Sequence, residues 1–410
     1  MTTDYSKQKA LIIEDMAEAR ILQKKMLTDF GFVDIDVAMK AETAIELLKS
    51  RRYDVVFSDY NLGNGKDGQQ LLEEVRHSEL IPNTSSYLMV TAETSIEMVM
   101  GAIEYQPDGY ITKPFSQALL QRRLQKLIET KIKLYDVNQA LDNKDYRAAI
   151  KAADEALKTY PYLESKCTRI KGDCYLELKE YDQAIELFSE AMADRKMPWA
   201  LFGLAKAYFF KDQYDEAEPR FRQLTLDNRF FVNAYDWLAK CLLKQNKKEE
   251  AHATLLEAIE KSPKAILRQM ELGRLSMEMG NYDVAEGAYR KAVFLGRYSV
   301  HNHYSITINH LKTFLGMAEN GQLQTKQLDS FQSSVARAQK RFMHQPEAKA
   351  QVYQTEIELY LALNDLQRAT LSFTAWNKDI SSNSALPPPK EFEAACAPLL
   401  GIESVGDSNE

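Results

Sequence analysis

Two apolar runs, KALIIED at 9–15 and YDVVFSD at 53–59, lack the alternation of a half-exposed strand and read as strands buried on both faces. Shorter strands are predicted at Ile35–Ala38, Tyr87–Thr91 and Gly109–Thr112. Between them the period changes. AEARILQKKMLTDFG, AETAIELLKSRR, GQQLLEEVRHS and SIEMVMGAIEYQ place apolar residues three and four apart, as an amphipathic helix does. Strand–helix alternation over residues 8–128 predicts an α/β doubly wound parallel sheet of five strands with helices on both faces. Ligands of such sheets sit beyond the carboxyl ends of the strands, where the strand order reverses.

After residue 130 the strand pattern stops and a longer period takes over. DYRAAI, EYDQAI, QYDEAE, KKEEAH and NYDVAE share an alanine column at Ala149, Ala184, Ala217, Ala251 and Ala285, a spacing of 33 to 35 residues. A second column holds Gly172, Ala205, Ala239 and Gly273, and a third Ala156, Ala191, Leu224, Ala258 and Ala292. Small residues at fixed points let paired helices approach closely, and aromatics one turn away fill the gaps. The segment resembles tetratricopeptide repeats, helix–turn–helix units stacked into an all-α solenoid. The expected repeat domain is 133–380, with a drifted stretch at 300–347 and a further unit at 348–380, where NDLQRA puts Ala369 in the alanine column. The tail, 381–410, is rich in helix breakers and predicts loose order. Ser116–Leu141 contains neither Pro nor Gly and keeps helical spacing throughout, which predicts one continuous helix, 116–141, joining the two domains.

Composition narrows the classes. The chain has 410 residues, 27% of them charged, with a net charge of -7 and no dense Lys/Arg block, which argues against a dedicated nucleic-acid binder. No 18-residue apolar run is present and MTTDYSKQKA does not read as a secretory signal, so no membrane association is expected. Four cysteines, Cys167, Cys174, Cys241 and Cys396, follow neither a disulfide nor a zinc pattern; a reducing cytoplasm is the expected location. His301 and His303 lack a partner at metal-ligand spacing in the sequence.

The predicted strand ends carry the chemistry. The first ends in Glu14-Asp15 and the third in Asp59; the fourth ends in Thr91, and the fifth runs into Lys113-Pro114. Three carboxylates converging on one rim repel one another, and a hard cation such as Mg²⁺ resolves this. Lys113 adds a point charge for an anion and Thr91 a hydroxyl. These groups suit Mg²⁺ with a phosphoryl group better than an organic substrate.

Together these residues resemble the receiver domain of two-component response regulators, a flavodoxin-like fold. The resemblance implies that Asp59 is the phosphoacceptor and that Glu14, Asp15, Asp59 and the backbone carbonyl of Asn61 hold Mg²⁺. It implies that Thr91 and Lys113 contact the phosphoryl group and that Thr91 and Tyr110 form the switch pair. Asn61 and Glu93, two positions past the acceptor and the threonine, flank the path of the hydrolytic water and would tune dephosphorylation. The loop DYNLGNGKDG departs from the family pattern: it lacks proline, and its glycine, Gly68, falls nine residues past Asp59 rather than eight.

The expected function is a cytoplasmic response regulator, phosphorylated on Asp59 by a sensor histidine kinase or a phosphotransfer protein. Its output would be protein binding through the repeat groove. It is expected to be no turnover enzyme, beyond self-phosphorylation from small donors and autodephosphorylation. Self-association as a homodimer stays open beside partner binding. The alternative is a phosphate sink, or kinase-modulating regulator, whose repeats only localise it.

Overall fold

The computed structural model describes residues 4–92, 105–193 and 197–401. The first domain is a parallel sheet of β1 (Lys9–Ile13), β2 (Asp34–Ala38), β3 (Val55–Asp59), β4 (Ser86–Thr91) and β5 (Gly109–Thr112), in the order β2-β1-β3-β4-β5. The order reverses between β1 and β3, so the crevice beyond their carboxyl ends is the switch point of the sheet. The predicted strands therefore stand, and the helix expected from SIEMVMGAIEYQ falls largely on 93–104, outside the described residues.

Alternation along each strand builds two cores. Ala10, Ile12, Val55, Phe57, Leu88, Val90 and Ile111 face α1 (Ala17–Phe30) and α4 (Gln117–Lys133). Leu11, Ile13, Val56, Tyr87 and Met89 face α2 (Ala41–Ser50) and α3 (Gly68–His77). These strands have both faces covered, which is why their sequences read as apolar runs.

The expected continuous helix is interrupted. α4 ends at Lys133, Leu134 takes φ -107° and ψ 25°, and α5 (Tyr135–Asp142) follows. Leu134 is buried beside Val137, Ala153 and Cys167 in the core of the first repeat. The chain turns to bury that side chain, a gain of about 1.5–3 kcal/mol that outweighs one distorted residue. Helical spacing cannot reveal such a turn, because Leu134 fits the apolar stripe in either geometry.

From α5 onward the chain forms helix pairs. α5 pairs with α6 (Tyr146–Thr159), α7 (Glu164–Glu177) with α8 (Tyr181–Met192), α9 (Pro198–Phe210) with α10 (Tyr214–Asp227), and α11 (Val232–Lys244) with α12 (Lys248–Lys261). α13 (Ile266–Glu278) pairs with α14 (Tyr282–Leu295), α15 (Tyr304–Glu319) with α16 (Thr325–Arg341), and α17 (Pro346–Ala362) with α18 (Leu366–Ser381). The molecule divides into two compact units: one runs to Ala265 and includes Tyr298–Val300, and the other comprises Ile266–Arg297 and the chain from His301. The long loop expected around ENGQLQTKQ is short, since α16 begins at Thr325.

The alanine column is buried at every position from Ala149 to Ala369. Five residues before these alanines, Lys144, Lys179, Asp212, Asn246, Gly280 and Asn364 all have φ between 56° and 73°. The turn inside each pair thus demands a left-handed residue, a geometric constant that the sequence leaves hidden because Lys, Asp, Asn and Gly all fill it. The glycines of the small-residue column are explained by aromatics: a methyl on Gly172 would collide with the ring of buried Phe188, and one on Gly273 with the ring of Tyr289. Gly172→Ala is therefore expected to lower stability by about 1–3 kcal/mol through overpacking. Urea denaturation of the full chain would show it as a lower midpoint at unchanged slope.

The described part of the tail, up to Gly401, is more ordered than its composition suggests. The indole N–H of Trp376 donates to the carbonyl of Leu386 at 2.8 Å, and α19 (Lys390–Leu400) sets Phe392, Cys396 and Leu400 on the core around Trp376. These residues are spaced four apart, so one helix face meets the apolar end of the last pair. All four cysteines are free and buried. Among the described residues no helix is long and apolar enough to cross a membrane.

Candidate functional site

Strand register assembles the site. Ile13 pairs with Ser58 and Asp59 with Val90, so Glu14, one residue past β1, comes level with Asp59 at the end of β3. Thr91 pairs with Thr112, which brings Lys113 to the same rim. Carboxylate oxygens of Glu14, Asp15 and Asp59 lie within 4.8 Å of one another. Glu14 and Asp59 are buried, and Asp15 is exposed. The Lys113 ammonium donates to Glu14 Oε2 at 2.7 Å and to Asp59 Oδ2 at 2.9 Å. One cation thus bridges two of three carboxylates, leaving an excess of negative charge on a rim with one open side.

Burial pushes the Glu14 carboxyl above its ordinary value, against the hydrogen bond from Lys113, and the nearby Asp59 charge adds to the rise. Burial would lower the Lys113 ammonium, but the hydrogen bonds and charges of Glu14 and Asp59 outweigh it and hold the group above its ordinary value. A donor set of closely spaced oxygens with surplus negative charge fits a small hard divalent cation such as Mg²⁺, which Glu14, Asp15 and Asp59 could hold.

The remaining sequence-predicted residues are distributed as follows. Thr91 is fully buried at the end of β4, beside β3. Tyr110 is half-buried in β5, opposite Met89 and packed against the core under α3. Asn61 is exposed in the loop directly after Asp59. Glu93 lies outside the described residues. Gly68 opens α3; its N–H donates to the Tyr60 carbonyl at 2.8 Å, and a methyl there would collide with the Asp59 carbonyl oxygen. Gly63 and Gly65 in the loop take φ values of 69° and 114°, left-handed backbone that glycine adopts without strain.

Two site residues escape sequence reasoning. Gln23 donates to Glu14 Oε2 at 2.8 Å, and Arg20 donates to the carbonyls of Glu14 and Asp15 at 2.9 and 3.2 Å. Both project from α1 back to the end of β1. Their spacing of six and nine residues from Glu14 is the only signal, and it is meaningful only once the turn into α1 is known.

Residues 10–125 match the model of the response regulator receiver domain, and 137–197, 175–236 and 233–265 match tetratricopeptide repeat models. Over 121 residues the chain is 36% identical to chemotaxis protein CheY-3 of Vibrio cholerae serotype O1, covering 30% of this chain and 92% of that protein. It is 33% identical to chemotaxis protein CheY of Pseudomonas aeruginosa, covering 30% of this chain and 96% of that protein. Among solved structures, chemotaxis protein CheY4 of Vibrio cholerae aligns at 27% identity with a TM-score of 0.27, over 29% of this chain and 98% of that one. The family-model matches and the curated relatives show that the chain belongs to the response regulators, with an N-terminal receiver domain followed by tetratricopeptide repeats.

Proposed function

We propose that this regulator accepts a phosphoryl group on Asp59 from a histidine kinase or phosphotransfer protein, and that its output is protein binding by the repeats. The observation that carries the reading is Lys113 poised between Glu14 and Asp59, 2.7 and 2.9 Å away, within a set of three carboxylates. An Asp59 carboxylate oxygen attacks the phosphorus of a phosphohistidine in line. The new P–O bond forms as the P–N bond breaks, and the released imidazole takes up a proton. Glu14, Asp15, Asp59 and the Asn61 carbonyl would hold Mg²⁺, which when bound supplies positive charge to the equatorial phosphoryl oxygens. Lys113 supplies the same from the protein side and leaves its pairing with Asp59 to do so. The product carries about one more negative charge than Asp59 did. Thr91 turns its hydroxyl to the new oxygens, and Tyr110 moves inward into the space this frees, a local event that biases a two-state surface.

A groove of about 860 Å³, lined by repeat residues and by Gln106 of the first domain, supports the proposed output. Tyr181, Trp199, Phe202, Phe210 and Phe230 line it with Arg169 and Lys206, a mixture of aromatic area and charge suited to an extended or helical peptide. The test is capture of partners by the full chain with and without beryllofluoride, a phosphoryl mimic, in Mg²⁺. A partner bound differently in the two states supports the reading. A kinase held equally in both, with no other partner responding, favours the phosphate-sink alternative.

The lifetime of the phosphoprotein should be short. Asn61 is exposed beside Asp59 and polar, and Glu93 lies two past Thr91 in the sequence; in this reading both would orient a water for in-line attack. Asn61→Met and Glu93→Lys are each expected to slow decay of isolated phosphoprotein several-fold. Unchanged decay of radiolabel in both would remove the role.

A further inference from the structure

The repeat domain reaches back onto the loop that follows the acceptor. Lys264 lies just past α12, and its ammonium is 3.2 Å from the Tyr60 hydroxyl, 3.3 Å from Asp67 Oδ2 and 5.1 Å from the centre of the Tyr60 ring. Tyr60 is the residue after Asp59 and is fully buried; Asp67 is the N-cap of α3 and accepts from the Gln70 N–H. A second contact sits one turn further along α3. The hydroxyl of Ser299 donates to Glu73 Oε2 at 3.0 Å, while the Tyr105 hydroxyl donates to Glu73 Oε1 at 2.9 Å. Glu73 and Ser299 are both buried, so Glu73 is a sequestered carboxylate held from two sides, one within the receiver and one from the repeat segment. A buried carboxylate is costly unless satisfied, so this contact is built into the packing and is no casual surface pair.

We propose that Lys264 and Ser299 form a latch that holds the loop 60–67 and the start of α3 in the unphosphorylated arrangement, and so restrains phosphorylation of Asp59. This rests on the assignment of Asp59 as acceptor. The mechanical link is short. Tyr60 bonds Val90 through its N–H and Gly68 through its carbonyl, and Gly68 is pressed against the Asp59 carbonyl. A shift of the loop onto a phosphoryl group therefore moves Tyr60 and Asp67 together, the two groups that Lys264 grips. Gly63 and Gly65 give the loop the backbone freedom to make that shift once released. This route runs through α3, separately from the join at Leu134. The latch acts on the rate through population: if Asp59 reacts from the released loop, holding the loop latched lowers the reactive fraction and the labelling rate with it.

The test uses the full chain with Lys264→Gln, Ser299→Ala and the pair. Lys264→Gln keeps the stem and removes the charge, and neither residue touches the carboxylate rim. Initial labelling by a small phosphodonor in Mg²⁺ is expected to rise about five-fold or more in the pair, as the fraction of released loop rises. In wild type, beryllofluoride should increase amide hydrogen exchange at 262–265 and 298–300. Equal labelling rates in all variants together with unchanged exchange would overturn the latch while leaving the acceptor assignment intact. A wild type that takes no label on Asp59 would overturn both. If the pair variant is less stable, Lys264→Gln alone and the exchange in wild type decide.

Discussion

Asp59→Asn is expected to leave the chain unlabelled by a small phosphodonor in Mg²⁺. The amide lacks the anionic oxygen that attacks phosphorus, so the reaction loses its nucleophile while the shape of the site is kept. Lys113 retains Glu14 as a partner at 2.7 Å, so the variant does not strand a cation. It also removes one of three carboxylates whose oxygens crowd within 4.8 Å, so thermal stability in the absence of divalent ions should stay level or rise. Mass mapping of the wild-type label to Asp59, with none in the variant, is the expected pair of results. Label of wild-type extent in Asp59→Asn, placed on another carboxylate, would overturn the acceptor assignment.

Lys113→Ala is expected to cost about 2–3 kcal/mol at neutral pH, because it strips the shared cation from two buried carboxylates. The value is set below that of a fully buried pair because the Lys113 side chain is 19% exposed. The pH dependence follows from Glu14, whose carboxyl is raised by burial. A raised folded-state carboxyl binds its proton more tightly than the unfolded chain does. Its effect on stability is therefore favourable at low pH and is lost as pH climbs from the ordinary glutamate value through the folded one. Without Lys113 that rise is larger, so the deficit of the variant should be widest at neutral pH and shrink as pH falls toward and below 4.5. Lys113 itself favours the folded state below its ordinary value of 10.5 and ceases to do so as pH rises through its raised one, so the wild type should also weaken in strong alkali. Mg²⁺ should restore much of the loss by supplying the missing positive charge. Thermal denaturation of both proteins across pH, with and without Mg²⁺, measures all of this. A deficit that neither acid nor Mg²⁺ reduces would mean that Lys113 contributes packing and not charge.

The receiver fold and its site were legible because local pattern and chemistry agree at each strand. Runs buried on both faces announce β1 and β3, helical periods announce the flanking helices, and the acidic pair, Asp59, Thr91 and Lys113 each follow an apolar run at a strand end. The repeat was legible for the same reason: alanine and glycine recur wherever two helices must touch. In a parallel sheet the register then follows from filling the two cores, so Glu14 comes level with Asp59 although 44 intervening residues separate them in the chain.

Other features depended on contacts between distant segments. Leu134 continues a helical stripe by its spacing, yet the chain turns there because the first repeat offers a core beside it. The tail reads as loose because Pro and Ser fill it, but Phe392, Cys396 and Leu400 find an apolar surface around Trp376. Gln23 and Arg20 are ordinary polar helix residues until the turn into α1 brings them against the end of β1. Lys264 and Ser299 carry no motif, and nothing in sequence places them at the loop after Asp59 and at α3. By itself the sequence determined the elements, the strand-end chemistry and the repeat, since these depend on neighbours a few residues away. Only the tertiary structure decided where the joining helix turns, what covers the tail and what grips the loop beside Asp59, because the energy for each comes from burying groups against partners far along the chain.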